Sequence, residues 1–235
     1  MKKSLLFLFI SCFISCAELQ QIADQLPQDG GYGVSNAEIA LGLKQALNKG
    51  IETQVSTLAM EDGFFSNELV RIGLPPELQK VDQTLRDIGL DRLADQGLRI
   101  LNRAAEEAVK GATPIFIDAV QDMTFSDARS ILFGSDTAAT AYLTEETSAA
   151  LYTEFRPVIE NSLEEVGATE IWRTIIERYN TIPLTADVNA NLPDYVTKEA
   201  LDGVFTMIAV EEKDIRNNLS ARSTALLRKI FSLQD

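Results

Sequence analysis

The 235-residue sequence contains no histidine and only two cysteines, and these shortages exclude several kinds of chemistry. Without an imidazole there is no Ser-His-Asp or Cys-His relay, no HExxH zinc site and no Glu-x-x-His di-iron bundle. Both cysteines lie within the first 16 residues, so the rest of the chain offers no thiol chemistry. We therefore expect no catalytic residue of these classes and no cofactor.

Basic charge is also scarce. The chain has 21 Lys and Arg residues against 35 Asp and Glu residues, a formal charge of −14. An acidic surface repels phosphate, so we expect no nucleic acid among the partners. The apolar fraction of 46% is that of a globular chain with a real core.

The first 16 residues carry the features of an export signal. Lys2 and Lys3 precede an apolar run over residues 5–15, which falls short of the ~20 residues needed to span a bilayer. The run ends in Phe13-Ile14-Ser15-Cys16, which resembles the bacterial lipobox except that Phe13 replaces the usual Leu. We expect cleavage after residue 15 and lipid attachment at Cys16. The alternative, a buried N-terminal helix, would place two lysines against the core.

These features predict the cellular location of the protein and its attachment to a membrane. Acyl chains on Cys16 would hold the protein on a membrane through its N-terminus. Ala17 and Glu18 lack the Asp after the lipidated Cys that favours retention at the inner membrane. We therefore expect an exported, outer-membrane lipoprotein that faces the periplasm.

Three regions follow from the composition. Residues 1–15 form the predicted signal peptide, and residues 16–34 form the lipidated Cys and a Gly- and Gln-rich tether. Residues 35–235 form one predicted domain. Its apolar residues recur at helical spacing, beginning with a capping box at Ser35 and Glu38, and no period-two alternation is found. The predicted fold class is therefore all-α.

The pattern also places helix boundaries. Thr113 and Asp194 are the predicted N-caps of two helices, and the residues after Pro75-Pro76 carry a further apolar stripe. Later helices are predicted near 136–143, 147–165, 168–180, 194–216 and 220–231, with Pro157 kinking or splitting the second of these.

Five separated motifs in this domain together carry a resemblance to a known family. They are Asn102-Arg103-Ala104-Ala105-Glu106, Met123-Thr124 with Asp127-Ala128, Ala138-Ala139-Thr140-Ala141-Tyr142, Ala200-Leu201-Asp202-Gly203-Val204-Phe205, and Glu211-Glu212 with Ile215-Arg216. Over about residues 35–231 the set resembles a bacterial family of unknown function found in secreted and lipoprotein-like envelope proteins. The resemblance implies an all-helical envelope protein and supplies no reaction or ligand.

Polar residues on otherwise apolar helices are the first candidate site. The candidate ligand-binding residues are Asn102, Arg103, Glu106, Asp127, Thr140, Tyr142, Asp202, Glu211 and Arg216. With Arg103 and Arg216 as bidentate forks, such a group would bind a small polar or anionic ligand. The alternative is a structural network of caps and salt bridges, in which Glu212 and Arg216 form an ordinary surface pair.

Two further patterns suggest chemistry but match it incompletely. Glu106-Glu107 and Glu211-Glu212 are paired carboxylates, yet neighbours on a helix point about 100° apart, so each pair offers one group to a cleft. Asp187, Asn189, Asn191 and Asp194 begin like a Ca²⁺ loop, but Leu192 replaces the required Gly and Lys198 replaces the bidentate Glu. Asx turns are the alternative there.

Three functions remain open from the sequence. The first is a non-enzymatic, lipid-anchored periplasmic module that binds a small ligand or a protein partner. The second is an enzyme that acts on envelope glycans through carboxylates and Arg, and the third is a purely structural envelope protein. An enclosed pocket lined by Arg103, Glu106 and Arg216 would favour ligand binding. Two carboxylates about 5–9.5 Å apart across an open groove would favour glycan hydrolysis, and a solid core with only an exposed apolar patch would favour a protein partner.

Overall fold

Eight helices and no strand make up the part of the chain described by the computed structural model, namely residues 34–74, 91–181 and 191–234 with a few positions between 75 and 90. The helices are α1 (Asn36–Leu58), α2 (Asp91–Val109), α3 (Ala112–Asp122), α4 (Phe125–Leu132), α5 (Ala138–Glu165), α6 (Ala168–Tyr179), α7 (Leu192–Asn217) and α8 (Ala225–Phe231). The predicted all-α class is confirmed.

Helix α1 forms where its caps and apolar spacing predict it. The Ser35 side chain accepts a hydrogen bond from the Glu38 backbone N–H, and the Glu38 carboxylate accepts one from the Ser35 backbone N–H. One face of the helix is buried over its whole length, through Ile39, Leu43, Leu47, Ile51, Val55 and Leu58. This stripe packs α1 against α3, α4, α7 and α8.

Helix α5 corrects the predicted break between residues 143 and 147. It runs unbroken from Ala138 to Glu165, with Pro157 inside it. The buried face continues through the expected gap at four-residue spacing, in Leu143, Thr147, Leu151, Phe155, Ile159 and Leu163. Because nothing between the two predicted helices opposes helical geometry, the continuous apolar face decides the outcome.

Other boundaries differ by a few residues. Helix α3 begins at Ala112 after Gly111, so Thr113 is not its N-cap. The N-cap of α7 is Asn191, whose side chain accepts from the Asp194 backbone N–H, so Asp194 lies inside the helix. The last helix begins at Ala225, later than predicted. Most of the stripe expected after Pro75-Pro76 lies outside the described residues.

Helices α5 and α7 pack along each other in opposite directions and form the centre of the fold. At one end the Tyr152 hydroxyl donates to the Asp194 carboxylate at 2.7 Å. At the other end Thr140 donates to Glu212. Phe155 of α5 is fully buried, as is Phe116 of α3, which also packs on α5.

The non-helical chain after α1 packs closely on α2 and α7. Gly203 on α7 allows this approach, because a Cβ there would lie 2.7 Å from Cε1 of Phe64. Phe64 is fully buried as a result. The segment has no ladder or helix to hold it, so side chains of α2 supply its partners, as described below.

The carboxylate of Glu38 joins the start of α1 to α8 and makes a pH-dependent contribution to the stability of the fold. A 2.7 Å contact with the Lys229 ammonium, together with the Ser35 bonds, lowers the pKa of Glu38 from 4.5 to about 2. Because the folded pKa is the lower one, this contribution is present above about pH 4.5 and is lost as the pH falls towards 2.

We expect the Glu38→Gln variant to be less stable than the native protein at pH 7, and the difference to shrink between about pH 4.5 and 2. Urea unfolding followed by circular dichroism at several pH values measures this. The matched control is Glu52→Gln, an exposed glutamate on the same helix. A stability difference that stays constant down to pH 2 would contradict the role of Glu38.

Candidate functional site

Glu212 and Arg216 on α7 form a buried ion pair, which we call the α7 clamp. The two side chains are only 7% and 4% exposed, and Arg216 Nη2 lies 2.8 Å from Glu212 Oε1. Arg216 Nε donates to the same oxygen at 3.0 Å. The spacing of four residues predicts the pair, but the surface position considered for it is wrong, because both groups are buried.

Glu212 caps the N-terminus of α5 from a different helix. Its two carboxylate oxygens accept the backbone N–H groups of Ala139 and Thr140 at 2.9 and 2.8 Å, and the Thr140 hydroxyl at 2.8 Å. Thr137, the N-cap of α5, makes no capping bond with its own side chain. A carboxylate at this position also meets the positive end of the helix dipole.

Arg216 makes the complementary contact at the end of α4. Its guanidinium donates to the backbone carbonyls of Ile131 and Leu132 at 2.8 and 3.1 Å. These carbonyls lie in the last turn of the helix, where a cation is favoured, and the Ile131 carbonyl also accepts the Gly134 backbone N–H. The α7 clamp therefore joins the C-terminus of α4 to the N-terminus of α5 with opposite charges at the matching helix ends.

A third buried charge caps α7 itself and was missed from the sequence. Arg222 is 2% exposed, and it donates to the backbone carbonyls of Ile215 and Arg216 at 3.0 and 2.7 Å. Its guanidinium lies 5.5 Å from the ring centroid of Phe231 on α8. No local sequence signal marks Arg222 as a C-terminal cap, because the carbonyls that it binds belong to the preceding helix.

A second polar cluster lies on α2 and holds the chain that follows α1. Asn102, fully buried, accepts the Ile72 N–H and donates to the Ile72 carbonyl, both at 2.8 Å. Glu106 is 1% exposed and accepts the Phe64 N–H at 3.3 Å. These bonds replace the secondary structure that the segment lacks.

Arg103 and Arg216, the two arginines expected to bind an anion, have separate carboxylate partners. Arg103 is half exposed and pairs with Glu106 at 3.2 Å and with Glu107 at 2.8 Å. Arg216 pairs with Glu212. Each carboxylate pair also directs one member inwards, because Glu106 is buried and Glu107 is 34% exposed. What the arrangement does chemically is to neutralise buried charge and bind helix ends.

The remaining candidate residues occupy separate places. Asp127 caps α4 by accepting from Thr124, which lowers the pKa of Asp127. The Tyr142 hydroxyl donates to the Ala119 carbonyl, and burial raises the pKa of Tyr142. Glu211 accepts from Gln54 at 2.8 Å.

The residues of the Ca²⁺-like pattern divide between two situations. Asp187 and Asn189 lie outside the described residues. Asn191 caps α7, and Asp194 accepts from Tyr152 and contacts Lys198 at 2.9 Å. Both described residues are therefore in contact with groups of the protein.

One small cavity borders the α7 clamp. Its volume is about 30 Å³, and it lies between α1, α7 and α8 with Glu212, Arg216 and Phe231 in its walls. A space of this size holds no more than a few water molecules, so it is too small for a metabolite.

An open groove runs between the N-terminal half of α5 and the middle of α7. Its volume is about 640 Å³, and it is widely open to solvent. The lining residues are Thr137, Thr140, Ala141, Thr144, Glu145, Asp202, Phe205, Thr206 and Ala209. We call this surface the α5/α7 groove. Its floor consists of short side chains and one aromatic ring, with a carboxylate on each helix.

The sequence of this helical body matches a family model over residues 33–232, which is most of the chain. The family is described as Protein of unknown function (DUF4197). The chain belongs to this family. Neither a curated protein nor a solved structure matches it.

Two motifs of the DUF4197 domain supply both polar clusters. Asn102 and Glu106 belong to the first motif of the resemblance, and Glu212 and Arg216 belong to the last. In the residues that the structure describes, no group of three Cys, Asp or Glu side chains is placed to hold a metal ion. None of the described helices combines the length and apolar character needed to cross a bilayer.

Proposed function

We propose that this DUF4197 protein is a lipid-anchored helical module of the bacterial cell envelope that binds a protein partner in the α5/α7 groove. The proposal rests on the observation that the buried polar side chains already bind backbone groups of the protein itself. Asn102, Glu106, Glu212 and Arg216 are engaged with backbone groups and helix ends, whereas the α5/α7 groove is an open recess that a partner can reach.

The anchor is supported by the sequence. Lys2 and Lys3, the apolar run of residues 5–15 and the lipobox-like ending at Cys16 together form a lipoprotein signal. The lack of Asp after Cys16 favours the outer membrane, with the domain in the periplasm. Attached acyl chains would make the membrane contact effectively permanent.

The composition of the groove favours a protein partner. Ala141, Ala209 and the threonines leave the helix backbones approachable, and short side chains of this kind allow another helix or an extended segment to lie close. Phe205 provides an apolar contact beside Phe116, with ring centroids 5.9 Å apart.

Action on an envelope glycan is a second candidate, because Glu145 on α5 and Asp202 on α7 face the same groove. Both carboxylates are exposed to solvent, whereas a general acid of a glycosidase is normally held in an apolar pocket. The protein partner is therefore the better-supported function. Loss of glycan turnover in Glu145→Gln or Asp202→Asn would reverse this order.

Two measurements on the protein from its native membrane test the proposal. Intact mass should give a chain beginning at Cys16 and carrying acyl groups, and Cys16→Ser should abolish that species. A photo-reactive phenylalanine at Thr206 in the groove should form a covalent adduct with an envelope protein. The same group at Thr174, an exposed position on α6, should not form one.

A groove-filling variant completes the design. Ala209→Trp should suppress the adduct formed from position 206, because the indole would occupy the space between α5 and α7. Adducts of equal yield from positions 206 and 174 would refute binding in the groove. An unprocessed chain in the cytosol would refute the anchor.

A further inference from the structure

Three residues on the outer face of α4 form an exposed apolar line. Phe125, Arg129 and Phe133 follow one another at four-residue spacing, so they share a face of the helix and its C-cap. Phe125 is 62% exposed and Phe133 is 50% exposed. They are the two exposed phenylalanines in the part of the chain that the structure describes. We call the three residues the α4 strip.

The arginine in the strip lies along its aromatic neighbour. The Arg129 guanidinium is 5.3 Å from the ring centroid of Phe133, and Nη1 donates to Asn36 Oδ1 at 3.4 Å. Aromatic rings beside an arginine suit the boundary between acyl chains and headgroups. The rings enter the apolar layer there, and the guanidinium reaches the phosphates.

The covalent path to the proposed anchor starts beside this strip. Asn36, the partner of Arg129, is the first residue of α1, so residues 17–34 join the domain at this point. Eighteen residues extend over at most ~60 Å, with a root-mean-square reach of roughly 20–25 Å if flexible. A lipid on Cys16 would therefore keep the α4 strip near the membrane at roughly millimolar effective concentration.

We propose that the α4 strip is the bilayer-contacting face of the domain, with Phe125 and Phe133 inserted at the lipid surface. This inference rests on the proposed lipid anchor. Burial of each ring strengthens binding to the membrane by roughly ten- to a hundredfold. Two rings are therefore sufficient for contact at a millimolar effective concentration. Because the chain carries a charge of −14, apolar insertion rather than attraction to anionic lipid supplies the contact.

The test uses the lipidated protein, reconstituted into phosphatidylcholine vesicles that contain brominated acyl chains. Tryptophan at position 133 reports contact with the bromines, and Val166→Trp is the matched control. Val166 is 54% exposed, and it follows the far end of the 28-residue α5, about 40 Å from the end that lies near α4. The native Trp172 is 7% exposed, and its signal is subtracted with the parent protein.

We expect about threefold stronger quenching for Phe133→Trp than for Val166→Trp, with little change when phosphatidylglycerol is added. Adding Phe125→Ser to the Phe133→Trp variant should reduce the quenching by about half. Equal quenching at the two positions, or none at position 133, overturns the inference. So does a Phe133→Trp emission that shifts to shorter wavelength with protein concentration in the absence of vesicles, which would assign the strip to a second copy.

Flotation of the same vesicles separates this inference from the anchor on which it rests. Co-flotation of all variants without selective quenching at position 133 leaves the anchor in place and rejects the α4 strip as the contact. Failure of the parent protein to float rejects the anchor, and it overturns the inference as well.

Discussion

Replacing Glu212 by alanine is expected to lower the free energy of unfolding by about 3–5 kcal/mol, because the change leaves Arg216 as a buried charge without its counter-ion. It also removes the acceptor for the backbone N–H groups of Ala139 and Thr140 at the start of α5. Urea unfolding monitored by circular dichroism measures the loss, with the slope of the transition checked for a constant exposed area.

Two further variants distinguish the α7 clamp from a generic charge effect. Glu107→Ala breaks an exposed contact with Lys110 and Arg103, and it should change stability by no more than about 1 kcal/mol. Glu212→Gln keeps an oxygen that can accept from the α5 backbone, so its loss should be smaller than that of Glu212→Ala. Equal, small effects of Glu212→Ala and Glu107→Ala would show that the buried pair does not hold the helix ends.

The fold could be predicted where local signals and the apolar pattern agree. The Ser35 capping box predicts the first residue of α1, and the buried stripe from Ile39 to Leu58 follows the helical spacing of the apolar residues. The break expected before Thr147 was wrong, because residues 144–146 include two glutamates, which favour a helix, and the buried face continues from Leu143 to Leu151.

The polar clusters were predictable as residues but not as contacts. Spacing alone joins Glu212 to Arg216, since residues four apart share a helix face. Their decisive partners lie elsewhere in the chain, at Thr140 and Leu132, and no local pattern specifies such contacts. Because the pair is buried, removing one partner costs much more stability than it would for a surface contact.

The same reasoning explains why the family motifs of this chain point to structure. Asn102 and Glu106 hold irregular backbone, and Glu212 and Arg216 hold helix termini, so each polar residue satisfies a buried backbone group. A search for function in this DUF4197 protein is therefore better directed to exposed surfaces. The α5/α7 groove and the α4 strip are the two that we propose.

The second large effect is expected for Asn102→Ala. The change leaves the N–H and the carbonyl of Ile72 buried without the side chain that binds both, and it should lower the free energy of unfolding by about 2–4 kcal/mol. Because Ile72 lies in chain without regular secondary structure, part of the loss should take the form of local opening. Amide hydrogen exchange at Ile72 should then accelerate more than exchange in the buried centre of α5 at Leu151.

Asn217→Ala is the matched control, since that exposed side chain donates only to the Lys213 carbonyl of its own helix in the described contacts. Its effect should stay within about 0.5 kcal/mol, and exchange at Ile72 should not change. If Asn102→Ala accelerated exchange at Ile72 and Leu151 equally, the segment would open only with the whole domain. Asn102 would then stabilise the whole fold and would not specifically stabilise the segment after α1.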